Sequence, residues 1–215
     1  MALTNRECIL LNSLKWAKEQ EKQYSSVRPN ITLDLDVTLD GYYNYYTDIM
    51  GLTVIHLFTY VGIPEQSIPY YTFIRLTGGV CAIEIPFIYG NVPINNASVT
   101  QKQPDFDVGL KTLIPIFKEK KTPLLIKCGN DIFHDAYIED LKNDYLVINH
   151  IHAEANNSCC CGYIKKGLPL NQCLMVGIPM NRLKAIDLPS QFLNKEVKEY
   201  FNRYIECFRG EKFTV

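Results

Sequence analysis

The side chains best able to do chemistry gather late in the 215-residue chain, where His150, His152, Cys159, Cys160, Cys161 and Cys173 bring six potential metal ligands into one stretch. Zinc needs four such groups converging tetrahedrally, which sequences usually announce as paired C-x2-C knuckles, and none occurs here. Three consecutive Cys point in diverging directions, so buried free thiols are the simpler expectation. His150 and His152 fall on one face of a strand, as surface or contact histidines. A Cys–His nucleophile could be drawn from any of eight Cys and four His, yet no nucleophile elbow, P-loop, GxGxxG, HExxH or papain-like signature favours one pair. Asp131, His134 and Asp135 lie close together, but at the start of a hairpin strand, where polar residues are ordinary. The segment Asp34-Leu35-Asp36-Val37-Thr38 places two carboxylates on the polar face of an alternating run. No catalytic, cofactor-binding or metal-ligating residue is assigned from these patterns.

Aromatic clustering offers a different use of the chain. Tyrosines recur as Tyr42-Tyr43-Asn44-Tyr45-Tyr46, as Tyr70-Tyr71, and as Tyr200-Phe201 with Tyr204. In extended chain, neighbouring rings point to opposite faces, so they cannot all enter one small core. They read as contact surface, where flat rings cover area at low entropic cost. The competing reading is a loop whose rings fold back over the core edge, and stacking on carbohydrate or nucleotide is a further use. Leu10, Leu14 and Trp16 join Tyr42, Tyr43, Tyr45, Tyr46, Tyr70, Tyr71, Tyr200 and Tyr204 as candidate assembly contacts.

The elements that must position these residues follow from hydrophobic period. Thr4 and Glu7 form a capping-box pair, Leu10, Leu14 and Ala17 make one stripe, and Arg28-Pro29 ends an N-terminal helix or arm over 1–28. From Ile31 to Leu39 the period is two, the clearest strand in the chain. Strand-like runs follow at Leu52–Val61, Tyr70–Leu76 and Val80–Ile88, then a polar loop at Asn91–Pro104. A helical pattern from Asp107 to Lys121 is interrupted at Pro115. Strands are expected at Leu124–Cys128, Ile132–Ile138 and Tyr145–Ile151, the last two joined by a polar turn over 139–144, with a final strand at Cys173–Ile178. Pro189-Ser190 opens an amphipathic helix over 190–209. The pattern predicts a mainly β chain with flanking helices: one β-rich domain over 29–215, an antiparallel β-sandwich with a projecting N-terminal helix and a C-terminal helix. No internal repeat is evident.

Composition narrows the function classes. Lys+Arg total 22 against Asp+Glu 23, a formal charge of −1, which disfavours a phosphate-backbone binder and leaves little repulsion between copies. No secretory signal or membrane span is read, so the thiols are expected reduced. Tyr titrates near pH 10 and free Cys near 8.5, so up to 22 groups neutral at pH 7 can become anionic in strong alkali. A barely charged, closely packed molecule would then repel its neighbours.

Two family resemblances attach to these residues. Asp34-Leu35-Asp36-Val37-Thr38 resembles the first motif of the haloacid-dehalogenase phosphatases, which would make Asp34 the nucleophile, Asp36 the acid/base and Mg²⁺ the partner of a phosphohydrolase. Val37 stands where that family has Gly, and the strand-rich stretch after it does not suit the family's parallel sheet. The capped N-terminal helix, β-rich middle, Phe201-Asn202-Arg203-Tyr204 and the run from Tyr137 to His152 resemble the cypovirus polyhedrins. That resemblance implies a structural, self-assembling, non-enzymatic protein: trimers packed into a dense crystal in the host-cell cytoplasm that occludes virus particles and dissolves in alkali. No cofactor is required and neither membrane nor specific nucleic acid is a partner, although the resemblance allows nucleotides held in the lattice. A β-rich ligand-binding domain is the remaining alternative.

Overall fold

The computed structural model describes residues 30–33, 37–47, 51–58, 68–75, 80–84, 106–152, 162–183, 185–189 and 191–192, with side chains over 70–75, 106–150 and the later segments. The N-terminal helix, the C-terminal helix, Asp34, Asp36, Leu10, Leu14, Trp16, Tyr200, Tyr204 and Cys159–Cys161 lie outside the described residues, as do the side chains of Tyr42, Tyr43, Tyr45 and Tyr46.

The chain is mainly β with flanking helices. Its strands are β1 (Asn30–Leu33), β2 (Val37–Thr47), β3 (Gly51–Phe58), β4 (Ile68–Ile74), β5 (Val80–Glu84), β6 (Leu124–Cys128), β7 (Asp131–Lys142), β8 (Tyr145–His152), β9 (Gly162–Pro169) and β10 (Cys173–Pro179). Helix α1 (Phe106–Glu119) precedes β6, and a short α2 (Met180–Leu183) follows β10. All ten strands join one hydrogen-bonded series, β5-β1-β2-β3-β4-β10-β6-β7-β8-β9. Every described pairing is antiparallel.

This order repeats itself. The first five strands run fifth-first-second-third-fourth, and the last five do the same. Third and fourth strands coincide in detail: Leu52 lies opposite Ile74, and 94 residues further on Leu146 lies opposite Leu168. In both halves the register between first and fifth strands skips one residue at the same place, Cys81 in β5 and Leu174 in β10. Each half's long second strand also carries a bulge against its third. An internal repeat is therefore present in topology, contrary to the sequence-based expectation, because few of the equivalent positions carry the same residue type.

Several local expectations are corrected too. The alternation from Ile31 to Leu39 is divided between β1 and β2, which pair with Leu33 opposite Val37. Alternation alone cannot show where a chain reverses. Helix α1 runs through Pro115. Pro115 is exposed, so its ring meets solvent, while Phe106, Leu110, Leu113, Ile114 and Phe117 are buried. The turn expected over 139–144 shrinks to Asn143-Asp144, both at positive φ (48° and 62°), the conformation of a two-residue hairpin turn. Strand β9 was not expected at all, because six of its eight residues are exposed and no alternation marks it.

The described core lies on one face of β4, β6, β7, β8 and β10, with α1 and the segment from Met180 to Phe192 packed over it. Bulges in β7 keep that face apolar: Phe133, Ala136 and Ile138 are all buried although 133 and 136 differ in parity, with Asp135 at φ 48° between them. Burial of such side chains stabilises by about 1.5–3 kcal/mol each. Central strands β6 and β10 are buried at every residue, so both of their faces are covered.

Candidate functional site

Four polar arrangements stand out among the described side chains: the contacts of Arg75, the pair Cys128 and Cys173, Lys127, and His134. Arg75, just past β4, donates from Nε to the Cys173 carbonyl (2.8 Å) and from Nη2 to the Leu170 carbonyl (3.0 Å), pairs with Asp107 in the first turn of α1, and stacks over the Phe106 ring at 4.6 Å. Its side chain is 14% exposed. A planar fork suits this four-way brace between β4, β10 and α1.

Cys128 and Cys173 sit opposite each other on β6 and β10, both buried, both within sulfur hydrogen-bond distance of the Pro169 carbonyl (3.7 and 3.6 Å). The hydrogen bond from Cys173 holds the Cys128 thiol below its ordinary value, and the same bond together with burial pushes Cys173 well above it. Lys127, 1% exposed, donates from Nζ to the Gly129 carbonyl at 3.1 Å. His134 is held below its ordinary imidazole value by burial, which the Asp135 carboxylate partly opposes.

Of the six potential metal ligands, only His150 and Cys173 have described side chains, and these two lie apart. His150 is held edge-on against Phe133 (5.0 Å between rings), whereas Cys173 lies in the β6–β10 pair. Among the described residues no three His, Cys, Asp or Glu side chains converge on a cation position. Strands β1 and β2 flank Asp34–Asp36 as an antiparallel pair, not the parallel setting that the phosphatase resemblance requires.

Two of the candidate contact tyrosines are core residues. Tyr70 and Tyr71 are 2% and 1% exposed on β4, which lies between β3 and β10 and is covered on both faces here. Tyr71 donates its hydroxyl to the Phe192 carbonyl (2.8 Å) and meets Phe73 edge-on at 5.1 Å. They are therefore not surface contacts of the folded chain.

Apart from Val108 on α1, the exposed large hydrophobic side chains among the described residues lie on β8 and β9. Tyr145, Tyr163 and Ile164 are 52%, 66% and 43% exposed, and the Tyr137 and Tyr163 rings meet edge-on at 6.4 Å. Charges interleave with them: Lys165 pairs with Glu139 (2.6 Å), and Lys166 pairs with Asp131 (2.9 Å) while lying over Phe133 at 4.8 Å. Lys165, with Asn149 also hydrogen-bonded, holds the Glu139 carboxyl below its usual range. Strand β9 ends the sheet, so the outer edge of its backbone pairs with no described strand. Such an edge is a template for another strand. Its sequence signal was the pair Tyr163-Ile164 beside two lysines, too short to read without the pairing order.

Comparison with protein families, with characterised proteins and with solved structures finds no match to this chain.

Proposed function

We propose that this chain is a structural protein that assembles with copies of itself through the β9 edge of its sheet. The observation that carries this reading is β9: a terminal strand of eight residues, six of them exposed, that presents Tyr163 and Ile164 to solvent. Backbone groups along such an edge gain partners when another strand docks, and apolar side chains gain cover. A net charge of −1 adds little long-range repulsion between copies at neutral pH.

The more specific form of this reading is the one implied by the polyhedrin resemblance, a dense matrix occluding virus particles and undone by alkali. Its physical support is compositional: the chain holds 14 Tyr and eight Cys, weak acids that ionise at high pH where solvent reaches them, the buried Cys173 excepted. The test is the molar mass of the untagged chain by light scattering, over rising concentration, at pH 7 and above pH 10. Mass that grows with concentration at pH 7 and collapses in alkali is expected. A monomer at every concentration at pH 7 overturns the proposal. Cells filled with soluble assemblies but no crystals would remove the matrix role and leave self-assembly.

A further inference from the structure

The repeated strand order says how copies would join. Within the chain, the two halves meet by pairing the fourth strand of the first, β4, with the fifth strand of the second, β10. The strands left at the two ends of the series are the fifth of the first half, β5, and the fourth of the second, β9. These are the same two kinds of strand that already pair at the internal seam. We propose that β9 of one copy pairs antiparallel with β5 of the next, so that the contact between chains repeats the β4–β10 contact within each chain. This inference rests on the self-assembly reading and supplies its interface.

The seam also supplies a register. In it Ile74 lies opposite Met175, Phe73 opposite Val176 and Thr72 opposite Gly177. Pairing to the third strands makes Ile74, Phe73 and Thr72 equivalent to Leu168, Gly167 and Lys166. The shared skipped residue makes Met175, Val176 and Gly177 equivalent to Ala82, Ile83 and Glu84. Carried to the contact between chains, the register sets Leu168 opposite Ala82, Gly167 opposite Ile83, and Lys166 opposite Glu84. Opposite charges thus fall directly across from each other at a position that nothing in the derivation selected for charge. Directly opposed charges stabilise a strand pair and like charges destabilise it.

Burial fits the same scheme. Tyr70, Tyr71 and Thr72 are 2%, 1% and 0% exposed with β10 alongside, whereas their equivalents Ile164, Lys165 and Lys166 are all exposed where no described strand lies alongside. The internal seam is close-packed: a Cβ on Gly177 would come within 3.0 Å of the Thr72 hydroxyl and 3.3 Å of the Tyr70 ring. Edge β9 offers lysines where β4 offers tyrosine and threonine. The outer contact is accordingly the more polar and salt-sensitive of the two, suited to reversible joining. Because the two joined surfaces differ, the assembly is head-to-tail, closing as a ring or extending as a filament according to the rotation per chain.

Charge exchange tests this on the full-length chain. Lys166→Glu and Glu84→Lys are each expected to weaken assembly about tenfold in concentration, and the double exchange to return it to within about threefold of the parent. Lys166→Gln, which avoids setting a new carboxylate beside Asp131, is expected to fall between parent and Lys166→Glu. Recovery in the double variant also shows that the single variants fold. If the parent is monomeric throughout, the self-assembly reading fails and this inference with it. If the parent assembles but the single exchanges leave its mass distribution unchanged, or the double does not recover, the β9–β5 contact is wrong while self-assembly stands.

Discussion

Removing the guanidinium of Arg75 would take one donor from each of the Cys173 and Leu170 carbonyls and the facing cation from Asp107. Hydrogen bonds to charged groups contribute about 1.5–3 kcal/mol, and the partners here are only partly wetted. Arg75→Met is therefore expected to cost roughly 2–4 kcal/mol in urea unfolding. Arg75→Lys should recover little, since a point charge cannot serve carbonyls and carboxylate at once. His134 gives the acid side of the stability profile. Its folded pKa lies below the unfolded value, so the folded state is favoured fully above the unfolded pKa, and that advantage is lost as pH falls through the folded one. The thermal midpoint of the parent is expected to drop as pH is lowered from neutrality, and His134→Gln to flatten that drop. An equal slope in both proteins would show that other groups set it.

The hairpin turn at Asn143-Asp144 carries its own test. Both residues sit at positive φ, which a Cβ without a hydrogen-bonding side chain disfavours by about 1–2 kcal/mol. Asn143→Ala should destabilise by roughly 1 kcal/mol in chemical denaturation, whereas Asn143→Gly should be neutral or slightly stabilising. On α1, Phe117 is wholly buried, and Phe117→Ala is expected to cost about 3–5 kcal/mol. These elements also show what could be read beforehand. Helix α1 and strands β3, β4, β6, β8 and β10 were legible because each couples a buried stripe or apolar run to Gly, Pro or Asn at its limits. The β1–β2 reversal, the bulges in β7 and all of β9 were not, because each depends on which strand lies beside which. Tyrosine pairs said "contact surface" at Tyr70-Tyr71 and were misleading there, since β4 is covered on both faces at these residues. The candidate edge was invisible for the converse reason: Gly162–Pro169 is solvated on nearly every residue and carries almost no pattern.

At the scale of the molecule, the described sheet has a buried middle and two end strands with one described neighbour each. Amide hydrogen exchange should be slowest along β6 and β10, which are buried throughout, and fast along β9 in dilute solution. Concentrating the protein is expected to slow exchange in β9 and β5 together; slowing in only one would contradict a contact made of both. A formal charge sum of −1 leaves little long-range repulsion between copies at pH 7. Lys127 makes the middle of the sheet chemically addressable. Its amine is enclosed against the Gly129 carbonyl, while Lys111, Lys118, Lys120 and Lys142 stand in solvent. An acylating reagent will mark those surface lysines at once and wait for Lys127 until β6 parts from its neighbours. The lag between the two is a clock built into the protein, timing how often its central seam opens.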